Sequence, residues 1–162
     1  MTTDDQEELL IVVDKDDNVL RFMPRKLVHE QKLLHRTISV SVYNDKGQIL
    51  LQKRSATKDS NASKWANAAG GHVAQGKDYD QTANEEIQEE LGVQPKLILI
   101  KKMIVNDPAH TTMTCLYKTT SNGPFNFNKE EIDEIKFYSK EDLKEVNLSE
   151  SARIVLHEQG LI

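Results

Sequence analysis

Apolar and polar residues alternate over several short segments of the chain, with the two-residue period that is typical of β-strands. One hairpin is expected from residues 8–13 and 18–23, which flank a polar turn at 14–17. A second hairpin is expected from residues 37–43 and 48–54, because a short turn that ends in glycine separates two further runs. These patterns predict a sheet in the first third of the chain.

The remaining segments combine strand and helix patterns. Residues 55–64 are polar and are predicted to form a loop, and residues 65–71 are interpreted as a connection to the next helix. The other expected elements are a short helix at 24–29, strands at 96–105, 111–119 and 134–139, and short helices at 140–146 and 149–159. No repeat or linker divides the chain, so one mixed α/β domain is the economical prediction.

The longest predicted helix covers about residues 79–91 and has an apolar side and an acidic side. Ala83 and Ile87 share a stripe with the last residue of the helix, and this stripe is expected to pack on a core. Asp78 precedes the helix in a capping-box pattern, and Gly92 follows it, where a left-handed residue ends many helices. The sequence therefore predicts both the start and the end of this helix.

Three glutamates share one face of this helix, because Glu86, Glu89 and Glu90 are spaced at i, i+3 and i+4. Like charges at this spacing destabilise an isolated helix by about 0.2–0.5 kcal/mol per pair. A hard dication would offset the repulsion, since magnesium takes oxygen ligands and is held by a few carboxylates. The alternative is a solvated acidic helix face, which is common in a chain with 26 Asp and Glu residues.

The segment around this helix resembles the signature of the Nudix hydrolases. The residues that match at the required spacing are Gly71, Glu86, Ile87, Glu89, Glu90, Gly92 and Val93. Two positions depart from the signature, with Lys77 where the family has glutamate and Glu85 where it has arginine. Both departures reverse a charge. If the two family residues pair, Lys77 and Glu85 are expected to form the same ion pair with inverted polarity; the alternative is two unrelated exposed residues.

The resemblance implies the fold class, an α/β Nudix fold in which a mixed β-sheet is sandwiched between α-helices, here with an N-terminal β-hairpin extension. The chain is then expected to be a single Nudix domain over residues 1–162. Within it, residues 1–34 would be the extension, residues 35–146 the Nudix core, and residues 147–162 the C-terminal helix.

The resemblance also implies a site for Mg²⁺ or Mn²⁺. The implied metal ligands are the backbone carbonyl of Gly70 and the carboxylates of Glu86, Glu89 and Glu90. These glutamates would also be the catalytic residues, and one of them would orient or deprotonate the attacking water; the resemblance leaves open which one. Lys53 and Arg54 end a predicted strand and are expected to bind substrate phosphates, unless they are simply solvated.

Part of the chain is similar to one branch of the family, which includes isopentenyl-diphosphate isomerase. The features that carry this similarity are the N-terminal hairpin, residues 34–37, residues 53–54 and Trp65. In the isomerase, three histidines and two glutamates hold a metal. His35 and His72 match two of those histidines, and His29 lies close to the third at a different spacing. Whether these histidines bind metal is left open by the sequence.

Two departures count against the isomerase reaction itself. Gly70 stands where the isomerase has its catalytic cysteine, and residues 111–113 replace the expected glutamate pair. The isomerisation needs a proton donor and a proton acceptor on opposite faces of the substrate. A glycine provides neither.

The function implied is therefore that of a divalent-metal-dependent pyrophosphohydrolase. Its substrate would be a nucleoside diphosphate derivative or a related organic diphosphate. One alternative is a catalytically impaired Nudix-fold binding or regulatory module, motivated by Lys77 and Glu85. The other is an isopentenyl-diphosphate isomerase. Substrate identity is not encoded in any pattern that we recognise.

Composition indicates which partners and which cellular location to expect. The formal net charge is −5 and no long run of Lys or Arg occurs, so no nucleic-acid partner is expected. No secretory signal or membrane-spanning stretch is evident, so no membrane partner is expected. Cys115 is the single cysteine, which excludes an intramolecular disulfide and fits a cytoplasmic location. Because relatives are often dimers, a homodimer is a candidate assembly.

Overall fold

The computed structural model describes residues 4–162, which form nine β-strands, three α-helices and one short 3-10 helix. In chain order the strands and helices are β1 (Leu9–Val13), β2 (Val19–Pro24), α1 (Arg25–Glu30), β3 (His35–Tyr43), β4 (Ile49–Arg54), β5 (Trp65–Asn67), β6 (Ala69–His72), α2 (Tyr79–Leu91), β7 (Ile98–Asn106), β8 (Thr111–Thr120), β9 (Ile132–Tyr138), the 3-10 helix Asp142–Glu145, and α3 (Glu150–Glu158).

The strands form one mixed sheet with β3 at its centre. β3 runs parallel to β8, from His35 opposite Thr112 to Tyr43 opposite Thr120, and antiparallel to β6. β4 pairs with both β5 and β9 in antiparallel register, and β7 pairs with β8. The β1–β2 hairpin joins the sheet where Val12 lies opposite His35. The predicted N-terminal hairpin is thus part of the main sheet.

Helices cover both faces of the sheet, as the predicted fold class requires. On one face, Ala83, Ile87 and Leu91 of α2 are fully buried in the larger core, as the apolar stripe predicts. On the other face, Ala152 and Leu156 of α3 pack in a second core. Truncation of a fully buried isoleucine or leucine to alanine costs about 2–5 kcal/mol. The packing of α2 therefore sets the direction of its acidic side with little freedom.

The ends of α2 are those predicted from the sequence. The Asp78 carboxylate accepts a hydrogen bond from the Gln81 amide at 2.8 Å, and Gly92 has φ +70°. A Cβ at position 92 would also lie 2.9 Å from the Asn126 carbonyl oxygen, so glycine is required there by both backbone and space. Asp78 and Gly92 therefore set the start and the end of the helix that carries the glutamates.

Two predictions need correction. Residues 65–71 are not a simple connection, because they contain β5 and β6. Both strands are very short and rich in Ala, Gly and Asn, which have low strand propensity, and they form because β4 and β3 offer them pairing edges. The predicted helix at 140–146 is only a 3-10 turn.

Candidate active site

A cavity of about 370 Å³ lies between α2, β3, β6 and the N-terminal segment. Its lining carries charges of both signs. The charged and histidine side chains that line it are Asp4, Asp5, Glu8, Arg25, Arg54, Lys58, His72, Glu86, Glu90, Asp107, His110 and Glu131. A concave site with converging acids and bases is the place where a charged small molecule would bind.

Glu90 is the most enclosed acid of the cavity, with 5% of the residue exposed. Its Oε2 accepts a hydrogen bond from the Gly70 amide at 2.9 Å, and its Oε1 accepts one from Gln52 Nε2 at 3.2 Å. Burial raises the pKa of Glu90 to about 7, although these hydrogen bonds oppose the shift. The carboxylate is therefore held in one orientation beside the backbone of β6.

Glu86 lies one turn earlier on α2 and packs against Gly71. A Cβ at position 71 would lie 2.6 Å from Glu86 Cδ and 2.8 Å from its Oε1, so only glycine leaves room for the carboxylate. Burial, followed by the nearby charges of Glu90 and Glu89, raises the pKa of Glu86 to about 9. Two carboxylates are thus crowded together in a poorly solvated place.

Glu89 differs from the other two glutamates, because it is exposed and does not line the cavity. Its charge still acts on Glu86. Glu131, which precedes β9, does line the cavity, and its charge raises the pKa of both Glu86 and Glu90. The acidic run around residues 130–134 was a visible signal for Glu131, but its sequence alone did not select which member faces inward.

The acidic cluster fits a hard dication. The site offers carboxylate oxygens of Glu86 and Glu90 in the same cavity, with Gly70 beside them, and oxygen donors are the ligands that magnesium and manganese prefer. For Gly70, the observed contact to this cluster is made by its amide, which binds Glu90. The role of its carbonyl as a ligand stays a prediction.

The two basic residues predicted to bind phosphate are placed differently. Arg54 lines the cavity, where its Nε donates to the Ser60 carbonyl at 3.1 Å and burial lowers its pKa. Lys53 is next to it in β4 but is not among the cavity-lining residues, consistent with the alternation of side chains along a strand. The structure therefore brings Arg54, and not Lys53, to the acidic cluster.

Two further basic residues reach the cavity without having been predicted. Arg25 forms a bidentate ion pair with Asp59, at 2.9 and 3.0 Å, and its Nη1 contacts His72 Nδ1 at 2.7 Å. Lys58, from the loop after β4, forms an ion pair with Asp4. Arg25 is one helical turn before His29 in α1, a spacing that could have indicated a shared face. Lys58 carried no comparable signal.

Histidines from four parts of the chain meet beside the cavity. His29, His35 and His72 place one ring nitrogen each within 4.8 Å of one another. His110 packs on His29 with ring centroids 4.1 Å apart, although no pattern in the sequence singled it out. His35 Nδ1 contacts the Leu33 carbonyl at 2.7 Å, whereas its buried Nε2 and both ring nitrogens of His110 have no partner in the described part of the chain.

The cluster suits a transition metal, because neutral imidazole nitrogens are good ligands for zinc and similar ions. Burial lowers the pKa of His29 to about 3 and of His35 to about 4, so both rings are neutral at physiological pH. Burial also lowers the pKa of His72 well below its ordinary value. Three neutral rings with converging nitrogens satisfy the protonation requirement of metal binding.

The departures from the isomerase pattern are also visible in the structure. Gly70 lies on the cavity wall opposite Ser39 of β3 and has no side chain to exchange a proton. On β8, the cavity is lined by Thr112 and Thr114, which bear hydroxyl groups where the isomerase pattern predicts carboxylates nearby. The histidine part of the pattern is thus assembled, while its proton-transfer groups are absent from these positions.

Comparison with known proteins agrees with this geometry. Residues 33–159 match the family model described as the NUDIX domain. An uncharacterised Nudix hydrolase of Yersinia pestis is 31% identical over 137 residues, which cover 84% of this chain and 75% of that protein. A second one, from Pseudomonas aeruginosa, is 29% identical over 135 residues, covering 83% of this chain and 80% of that protein.

The isomerase relatives match over a shorter region. Isopentenyl-diphosphate Delta-isomerase 2 of Photorhabdus laumondii is 38% identical over 86 residues, which cover 53% of this chain and 49% of that protein. The chain therefore spans about half the length of the isomerases that it matches.

Solved structures share the fold. A protein from Deinococcus radiodurans superimposes with a TM-score of 0.79 at 20% identity, covering 93% of this chain and 98% of that one. The NUDIX domain of Shewanella oneidensis NrtR, complexed with ADP ribose, gives a TM-score of 0.64 at 18% identity, covering 78% of this chain and 84% of that one. Within residues 4–162, no helix has the length and apolar character to cross a membrane. Because the NUDIX model covers most of the chain and the fold and glutamate helix agree with it, this protein belongs to the Nudix family.

Proposed function

We propose that this protein is a divalent-metal-dependent hydrolase that cleaves the diphosphate linkage of a nucleoside diphosphate derivative or a related organic diphosphate. One observation carries the proposal. Glu90 is buried and Glu86 is half-buried in one cavity that also contains Arg54, so the site has a place for a dication and a cation for phosphate oxygens. Buried like charges are costly unless an opposite charge joins them.

Glu86, Glu90 and Glu89 would hold the metal, with magnesium or manganese as the ion that suits carboxylate ligands best. When bound, such an ion supplies charge neutralisation at the phosphate oxygens and lowers the pKa of a bound water. The Gly70 amide and Gln52 keep the Glu90 carboxylate in place, at 2.9 and 3.2 Å. Such fixed orientation reduces the reorganisation needed when charge develops in the transition state.

A carboxylate of the cavity would orient or deprotonate the attacking water. Glu86 and Glu131 both line the cavity beside Glu90 and are the two candidates for this proton transfer. On the substrate side, Arg54 and Lys58 would bind phosphate oxygens, Arg54 through its planar guanidinium. The charges of the site are therefore divided into an acidic part for the metal and a basic part for the phosphates.

The substrate class is supported by the fold neighbour from Shewanella oneidensis, whose structure contains ADP ribose. We also infer that the protein works in the cytoplasm, where its buried lone thiol, Cys115, would stay reduced. A homodimer is the assembly that we infer from family behaviour. Neither inference affects the chemistry of the cavity.

The test is a screen of diphosphate-containing metabolites for phosphate-containing products with magnesium present. The parent protein is compared with Glu90→Gln, which keeps an acceptor for the Gly70 amide but loses the charge. We expect magnesium-dependent hydrolysis of at least one compound by the parent and a loss of about 10²-fold or more in the variant. Equal activity of the parent and the variant would refute the proposal.

A second candidate function is a binding or regulatory module, favoured by the two charge reversals at Lys77 and Glu85. Calorimetric titration with magnesium separates it from the hydrolase, since an impaired module would bind the ion weakly with or without a diphosphate ligand. The convergence of His29, His35 and His72 favours the isomerase as a third candidate. Deuterium exchange into isopentenyl diphosphate is its direct assay, and we expect none because Gly70 offers no proton.

A further inference from the structure

We propose that Asp4 is an internal competitor of the substrate, because its carboxylate occupies the basic part of the cavity where a substrate phosphate would bind. The inference deepens the proposed function and rests on it for the identity of the competing ligand. It concerns residues 4–8, the N-terminal segment, of which Asp4, Asp5 and Glu8 line the cavity together with Arg25 and Lys58.

The carboxylate of Asp4 is bound in the manner of an anionic ligand. Its Oδ1 accepts a hydrogen bond from Lys58 Nζ at 2.5 Å, and its Oδ2 accepts one from the main-chain amide of Asp59 at 2.9 Å. Arg25 Nη2 lies 3.6 Å from Oδ1. The side chains of Asp4 and Lys58 are only 5% and 9% exposed. An ammonium group, an amide and a guanidinium around two oxygens are also what phosphate-binding sites provide.

The two arginines of the cavity already have partners other than Asp4. Arg25 has Asp59 as a bidentate partner, and Arg54 donates to the Ser60 carbonyl. The other carboxylate near Lys58 is Glu131, with Oε2 3.9 Å from Nζ. If Asp4 leaves, Lys58 and the Asp59 amide become available to another anion. A phosphate and the Asp4 carboxylate cannot use the same two donors together, so binding of one excludes the other.

The attachment of the segment allows this exchange without unfolding of the sheet. Gln6 and Glu8 fix the segment to α1, because their carbonyls accept hydrogen bonds from the Lys26 and Arg25 amides at 3.0 and 2.8 Å. Asp4 lies before these anchors. Its side chain can therefore leave Lys58 while the segment stays attached. The fraction of molecules with Asp4 displaced then scales the apparent affinity for the phosphate ligand.

The experiment measures binding of inorganic pyrophosphate to the full chain by calorimetry, with EDTA present so that the acidic metal site contributes nothing. Asp4→Asn keeps the size of the side chain and removes its charge. We expect pyrophosphate to bind about tenfold more tightly to Asp4→Asn than to the parent, since the competitor is weakened. Adding Lys58→Met to Asp4→Asn should return the affinity to the parental value or below.

Glu7→Gln is the matched control, because it removes one negative charge from the same segment at an exposed residue that does not line the cavity. Affinity in this control should change by less than about twofold. The unfolding midpoint of each variant is measured alongside. Unchanged or weaker binding in Asp4→Asn would overturn the proposal, and so would an equal gain in Glu7→Gln. Because binding is measured without metal or turnover, a failed hydrolysis screen would leave this result intact.

Discussion

Lys77 Nζ and Glu85 Oε2 lie 2.6 Å apart, so the loop before α2 is tied to the second turn of that helix by an ion pair. In the Nudix signature, these two positions carry charges of the opposite sign. The expected ion pair is therefore present, with its polarity inverted relative to the residues of the signature. The side chains are 43% and 37% exposed, so the pair is well solvated and contributes little to stability.

Exchanging both residues, Lys77→Glu with Glu85→Arg, should restore the usual signature and keep the unfolding midpoint of the parent. Lys77→Glu alone would face Glu85 with a like charge, and Glu85→Arg alone would face Lys77 in the same way. Each single change is therefore expected to lower the midpoint slightly, and to do so less at high salt. A thermal-unfolding double-mutant cycle measures the coupling. Additive single effects would show that the two residues act independently.

The three glutamates of α2 should contribute unequally to metal binding. Glu90 is enclosed and bound by the Gly70 amide, whereas Glu89 is exposed. Glu90→Gln is expected to weaken magnesium binding and any hydrolysis by about 10²-fold, and Glu89→Gln is expected to have a smaller effect, because an exposed carboxylate is less constrained. Calorimetry with magnesium compares them, with Glu85→Gln as the control from the same helix. An equal loss in Glu89→Gln and Glu90→Gln would contradict this ranking.

Gly71→Ala should damage the site by steric pressure on one side chain. The new Cβ would lie 2.6 Å from Glu86 Cδ, and that carboxylate is the flexible end of its side chain. We expect folded protein in which Glu86 is displaced, with magnesium affinity and hydrolysis reduced by about 10²-fold.

The steric origin is tested with Glu86→Ala as a second background. Any loss of stability caused by Gly71→Ala should disappear in that background, because the clash partner is gone. Persistence of the loss would locate the strain in the backbone of β6 instead. Circular dichroism and thermal unfolding give the readout for all four proteins.

The histidine cluster should make the metal-free protein sensitive to mild acid. His29 and His35 have pKa values lowered to about 3 and about 4, mainly by burial; Arg25 and neighbouring histidines also disfavour the charged form of His29, and Asp59 favours it. Above the unfolded pKa of about 6.5, these rings are neutral in both states and have no effect. As pH falls below 6.5, the unfolded chain binds protons on these histidines that the folded chain does not, so the histidines lower stability until the folded pKa is reached. Glu86 and Glu90, with pKa values raised to about 9 and about 7, act in the opposite direction, so the effect of the histidines is measured as a difference between variants.

Urea unfolding in EDTA between pH 7.5 and 5 measures this effect. His29→Asn should reduce the decline of the urea midpoint over that range. The variant lacks the His29 ring, which is protonated in the unfolded chain but not in the folded chain. His157→Asn is the control, because His157 is exposed on α3. Zinc should raise the midpoint of the parent at pH 7.5 and have less effect on His29→Asn. A decline that is identical in the parent and in His29→Asn would exclude the cluster as its source.

The local parts of the fold were predictable because their causes are local. Helix α2 was placed with its observed bounds by its apolar stripe, Asp78 and Gly92. The first hairpin followed from two apolar-rich runs around a polar turn, and the second from two-residue alternation. β5 and β6 were missed, because strands of three and four residues exist only through pairing with β4 and β3. Pairing partners that are distant in sequence leave no periodic signal.

By itself, the sequence determined the acidic helix, its spacing of carboxylates and its family signature, since helical periodicity converts residue order directly into a shared face. Tertiary structure decided which of these acids are enclosed: Glu86 and Glu90 face the cavity, whereas Glu89 faces solvent. It also brought His110 to His29 and Asp4 to Lys58. These pairs depend on packing between segments tens of residues apart, and that packing is set by the whole core and not by any local pattern.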